Sequence, residues 1–160
     1  MTDPLRYLVR KLMLHKHTST VPTRIAPLAD IHSALVFVDP MQEDAEATVH
    51  SVRQFFNYQG IPVNVILPQK TDINLIGMLK KRFRMEGEEP RHEDLFISLI
   101  PDPEYFPSEY EARCSTAFFK VGCQEYKGGV FDMIVTLPEG SEVSQSAIFA
   151  AIKDYLTKIK

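Results

Sequence analysis

Hydrophobic residues in this chain fall into two periods. Short apolar runs bounded by Pro, Gly or Asp alternate with longer stretches in which apolar residues recur every three or four positions. The runs are Ala34–Val38, Pro62–Leu67, Asp94–Ile100, Ala117–Gly122 and Val130–Leu137. Rich in Val, Ile and Phe, they predict buried strands of a central sheet. Between them, residues 42–59 predict a helix with Ala45, Val49, Val52 and Phe56 on its buried face, stopped at Gly60. Asp72 predicts the start of a weaker helix carrying Ile73, Ile76 and Leu79, and a helix follows Pro107 with Tyr110 and Cys114 inward. The closing helix runs from Ser141 or Ser144 to Lys158, with Ile148, Ala151, Ile152, Tyr155, Leu156 and Ile159 in its stripe. The polar stretch from Arg82 to Glu93 admits a short edge strand near Phe83–Met85.

Alternating strands and helices predict an α/β fold: a Rossmann-like three-layer sandwich with a mostly parallel sheet of five to six strands. Only Gly122 to Gly129 separate the last two predicted strands. A parallel crossover needs about a dozen residues or more, so the last strand is expected to be antiparallel and the sheet mixed.

The N-terminus reads separately. Asp3-Pro4 is a helix start, and Leu5, Leu8, Val9, Leu12 and Met13 follow at helical spacing with Arg6, Arg10, Lys11 and Lys16 off the stripe. Residues 1–27 therefore form a basic amphipathic helix and linker, and residues 28–160 a single α/β domain. Charge sharpens that division. Residues 1–24 hold five Lys/Arg against one acid, and the remainder 13 against 20. An acidic body disfavours a nucleic-acid surface on it. About three turns of amphipathic helix are unstable alone in water, so the helix needs a cover. A protein partner, a second copy or its own domain can supply one, and an anionic membrane surface is a further alternative. The five residues of the stripe are the candidate interaction residues.

Composition narrows the class. A chain of 160 residues with 44% hydrophobic and 24% charged residues suits one soluble domain. No apolar stretch approaches the roughly 20 residues of a spanning helix. Leu5–Leu14 is broken by three cations and lacks the features of a signal peptide. Two cysteines, Cys114 and Cys123, fit a reducing compartment, and the expected location is cytoplasmic.

Catalytic motifs are sparse. The junction after the first strand, Val38-Asp-Pro-Met-Gln-Glu-Asp44, has none of the glycines of a dinucleotide loop, and no Walker A loop occurs. A doubly wound sheet places its crevice at the carboxyl ends of the strands, where the loops supply Asp39, Glu43, Asp44, Asp102 and Glu104. These acids repel a bare phosphate, and Asp39, Asp44 and Asp102 are candidates to hold Mg²⁺. Acids are also expected at helix starts for capping alone, and that reading comes first. A receiver-like phosphoacceptor pocket needs a Lys in a loop, whereas Lys120 lies inside a strand. The histidines His15, His17, His50 and His92 have no nucleophile or ligand partner at a telling spacing.

Glu93–Leu99, Phe106-Pro-Ser-Glu-Tyr110, Ala117–Gly122 and Phe131–Leu137 together resemble a family of small Bacteroidetes proteins that form a domain of unknown function. Its members have a basic N-terminal helix, a short linker and a strand like Ala34–Asp39 ahead of this block. At longer range the block is similar to the N-terminal half of heptosyltransferase-type (GT-B) glycosyltransferases. That resemblance implies an acidic base in the loop after the first strand, for which Asp39 or Asp44 is the nearest counterpart. Asp102 stands where the loop of a later strand begins. The half that holds the sugar nucleotide has no counterpart in these residues. The reading that results is a non-catalytic, partner-binding or self-associating α/β module. The alternative is a small Mg-dependent enzyme or ligand-binding domain using the acidic crevice.

Overall fold

The computed structural model describes residues 4–80 and 91–160, with the backbone of 85–86 and 89–90. Its elements are helix α1 (Pro4–His17), strand β1 (Ala34–Phe37), α2 (Ala45–Gln59), β2 (Val63–Ile66), β3 (Met85–Glu86), β4 (Glu89–Pro90), β5 (Leu95–Ser98), α3 (Phe106–Cys114), β6 (Phe119–Gly122), β7 (Met133–Ile134) and α4 (Gln145–Lys158). Five strands form one sheet in the order β2-β1-β5-β6-β7, and every neighbouring pair is parallel. Among the described residues, strands β3 and β4 pair only with each other, antiparallel, as a separate two-stranded sheet. The strand expected near Phe83–Met85 lies partly outside the described residues.

Central strands β1, β5 and β6 are buried at every position, which explains why they read as continuous apolar runs. Alternate side chains feed two cores. Ala34, Val36, Leu95, Ile97, Phe119 and Val121 face α2 and α4, meeting Val52, Phe56, Ile148, Phe149 and Ile152. Leu35, Phe37 and Phe96 face the other way, beneath Ala112 of α3 and Leu79. On that second side α1 lies outermost, with Met13 and Leu14 packed on Phe106, Tyr110 and Met78.

The antiparallel final strand is corrected. Strand β7 is parallel to β6, pairing Val121 with Met133 and Gly122 with Ile134. The strand begins at Met133 rather than Phe131, so residues 123–132 are all available to cross over without a helix. Tyr126 anchors that crossover: it is 3% exposed and its hydroxyl donates to Ser108 Oγ of α3 at 3.1 Å. Asp132 closes it, accepting from Lys120 N at 2.8 Å while its own N–H donates to Lys120 O at 2.8 Å.

The helix expected from Asp72 is also corrected. Residues Lys70–Asp72 form a 3₁₀ turn, and Ile73 then bridges Leu79 antiparallel. Asp72 Oδ2 accepts from Gln69 N at 2.9 Å, and Asn74 Oδ1 accepts from Ile76 N and Met78 N at 3.0 and 3.1 Å. Side chains that bond nearby amides in this way compete with helix. Tyr155, expected in the stripe of α4, is 52% exposed; Ile148, Ile152 and Leu156 carry the packing.

Candidate functional site

Two places answer to the sequence expectations: the carboxyl edge of the sheet and the outer face of α1. At the carboxyl edge, the chain leaves β1 for β2 on one side and β5 lies on the other, so the crevice falls between Asp39 and Ile100. The N-terminus of α4 seals it. Gln145, 3% exposed, takes Asp39 N on Oε1 at 2.7 Å and gives Nε2 to Asp39 O at 3.0 Å. Both backbone groups that β1 would leave open at its end are thereby paired.

The candidate acids diverge. Asp39 folds over its own turn, Oδ1 accepting from Met41 N at 2.9 Å and Oδ2 from Gln42 Nε2 at 3.3 Å. Asp44 stands at the N-cap of α2 but makes no side-chain cap there. Its Oδ2 accepts instead from Ser146 N at 2.9 Å, capping the neighbouring helix α4. Ser144 supplies the second cap of α4, accepting from Ala147 N at 3.1 Å. Asp102 is exposed and accepts from Glu104 N at 2.9 Å. The three carboxylates therefore serve three separate sets of amides. That arrangement does not fit a shared divalent cation, and among the described residues no cluster of three His, Cys, Asp or Glu side chains is placed to hold a metal. Nearby, the Tyr105 hydroxyl is pushed up to about 12 by burial and by the negative charge of Asp39 and Asp72, so it stays protonated.

At the amino edge is a polar cluster that no motif in the sequence announces. Arg91 reaches Glu93 (Nε to Oε2, 3.3 Å) and Glu111 (Nη2 to Oε2, 3.4 Å), and Ser115 Oγ donates to Glu93 Oε1 at 2.8 Å. All three charged side chains are more than nine-tenths buried. The cluster ties the entry of β5 to the end of α3, and a cavity of about 250 Å³ beside it is lined by His17, His92, Cys114 and Thr116 among others. Glu111 and Ser115 reach Arg91 and Glu93 from about 20 residues away, and such a pairing leaves no periodic signal.

On α1 the expected stripe divides. Met13 and Val9 are half-buried, whereas Leu5, Leu8 and Leu12 are 68%, 53% and 60% exposed. The docked side is built by the arginines instead. Arg10 Nε donates to Ile76 O at 2.6 Å, Arg6 Nε reaches the same carbonyl at 3.4 Å, and the Arg10 guanidinium lies 4.4 Å from the centre of the Phe106 ring. Gly77 makes this possible: its φ is +91°, and a Cβ there would sit 2.2 Å from Arg10 Nη2. Leu75, 96% exposed, projects from the same loop. The outer face of α1 is thus apolar, bordered by the exposed Lys11 and Lys16. Among the described residues no helix is long and apolar enough to cross a membrane.

No family model, curated protein or solved structure matches the chain.

Proposed function

We propose that this chain is a non-catalytic, Rossmann-like α/β module that binds a protein partner through the outer face of α1. One observation carries the reading. Leu8 and Leu12 are more than half exposed on a helix whose opposite side is held by Arg10, Met13 and Leu14. A helix fixed in orientation with leucines outward presents a ready-made ridge for a partner's groove. Lys11 and Lys16 beside the ridge favour a groove rimmed with carboxylates. They disfavour a second α1, which would bring the same cations together. Cys114 and Cys123 are not joined in a disulfide, which suits a reducing compartment, in keeping with a cytoplasmic module. The divergence of Asp39, Asp44 and Asp102 weighs against the Mg-dependent alternative.

The test is a double substitution, Leu8→Glu with Leu12→Glu, in the full chain. Both side chains are exposed, so the fold should be kept and partner binding lost. Unchanged binding would overturn the reading. Binding of the wild type to anionic vesicles, with no protein partner captured, would replace it with a membrane-surface role.

A further inference from the structure

The sheet ends in an open edge at β2 among the described residues. Strand β2 is paired on one side only among the described residues. The pairing fixes which of its groups are turned outward. Pro62 O accepts from Ala34 N and Ile66 O from Val38 N, both at 2.9 Å, so residues 62, 64 and 66 face β1. Val63 and Val65 therefore turn both N–H and C=O to the open side, and continuing the same alternation one residue past the strand does the same for Leu67. Prolines usually blunt such edges. Here Pro62 and Pro68 occupy the inward-facing positions, and the outward donors at Val63, Val65 and Leu67 are intact. The same three side chains lean against the core beneath α2. Between α2 and this edge runs a groove of about 900 Å³, walled by Glu46, Val49, His50 and Arg53 and floored by Val63 and Leu67.

We propose that the occupant is a second copy of this chain, paired antiparallel β2 to β2 about a two-fold axis through Val65. The edge is complementary to itself in that register. Val65 faces its own symmetry mate, and Val63 faces Leu67 of the other copy, apolar against apolar. Three residues per copy, each with a donor and an acceptor, close a ladder of about six hydrogen bonds. Charge fits the same axis. Helix α2 runs antiparallel to β2, and its end is tied to the strand where Ile61 N donates to Phe56 O at 2.9 Å. From Ile61 to Val65 is about 13 Å of strand, matched by about nine helical residues back along α2, which puts the axis beside Thr48–His50. Glu46 and Arg53 flank that level on opposite sides, so the two-fold brings Glu46 of each copy to Arg53 of the other.

Sedimentation equilibrium on the full chain tests this. The expected result is a species of twice 18.3 kDa that grows with concentration. Arg53→Glu or Glu46→Arg alone should weaken dimerisation by about tenfold or more, and the two together should restore it. Both positions are exposed, so neither change threatens the fold. Val65→Pro, which deletes the central outward donor, should also abolish the dimer, whereas Leu8→Glu with Leu12→Glu should leave it intact. A single-chain mass at all concentrations up to about 1 mM, an undiminished dimer in Arg53→Glu, or no rescue by the double exchange would overturn the proposal. Loss of the dimer in the leucine variant would overturn it too, by moving self-association to α1.

Discussion

Replacing Gln145 with Ala tests whether the carboxyl-edge crevice is a structural clasp. Gln145 makes two hydrogen bonds to the Asp39 backbone, at 2.7 and 3.0 Å, from a position only 3% exposed. Each net bond contributes about 1 kcal/mol, and a backbone group left unpaired and buried costs more. Asp39 is half-buried, so water reaches part of the gap and holds the penalty down. The expected loss is about 2 kcal/mol, which for a domain of this size lowers Tm by roughly 4–8 °C. Urea unfolding followed by far-UV circular dichroism measures it, since the chain has no Trp. Gln145→Glu supplies the sharper arm. At neutral pH the carboxylate confronts Asp39 O with no donor, so this variant should be less stable than Gln145→Ala. In acid the protonated carboxyl regains a donor, and the gap between the two variants should narrow or reverse. Changes below about 0.5 kcal/mol in Gln145→Ala, the ordinary range for surface substitutions, would refute the clasp.

Other consequences follow from packing and ionisation. Gly122→Ala should destabilise by about 1–3 kcal/mol, because the new methyl would lie 2.4 Å from the Phe131 ring; Phe131→Leu in the same chain should recover part of the loss in urea melts. The Cys123 thiol is pushed up by burial to about 11 from 9.0, so at pH 8 it should react with a thiol reagent about a hundredfold more slowly in the folded protein than in urea. Equal rates would refute that. The sign for stability follows: the unfolded chain releases this proton first, so stability falls as pH rises from 9 through 11, and Cys123→Ala should flatten that fall. Lys120 acts oppositely. Burial lowers its pKa from 10.5, so its charge penalises the fold at neutral pH and the penalty lifts as pH rises through the folded value toward 10.5. Lys120→Met should remove that stabilising slope, as pH-dependent melts would show.

Much of the architecture was legible because burial is written in the sequence. Strands β1, β5 and β6 are apolar at each position since both sheet faces are covered, and α2 and α4 show the spacing of helices packed on one side. Where local hydrogen bonds decide, the pattern misled. Ile73, Ile76 and Leu79 have helical spacing, yet Asp72 and Asn74 bond the adjacent amides and bend the chain into a turn. The direction of β7 was hidden because only Met133 and Ile134 of the long apolar run join the sheet, and Tyr126 replaces a crossover helix. Spacing also located the acids correctly at loop starts without showing what they bond. Asp44 caps α4, about a hundred residues away, and only the tertiary fold supplies that partner. On α1 the apolar stripe was visible, but the side that docks is defined by Arg6 and Arg10 meeting a single carbonyl at Ile76.

The most direct test of partner binding through α1 is photo-crosslinking in living cells, with a benzophenone amino acid placed at position 8 or, separately, at position 102. The account predicts a discrete protein adduct from position 8 that disappears when Leu12→Glu is added, and none from position 102. An adduct from position 102 with none from position 8 would contradict it, returning function to the acidic edge of the sheet.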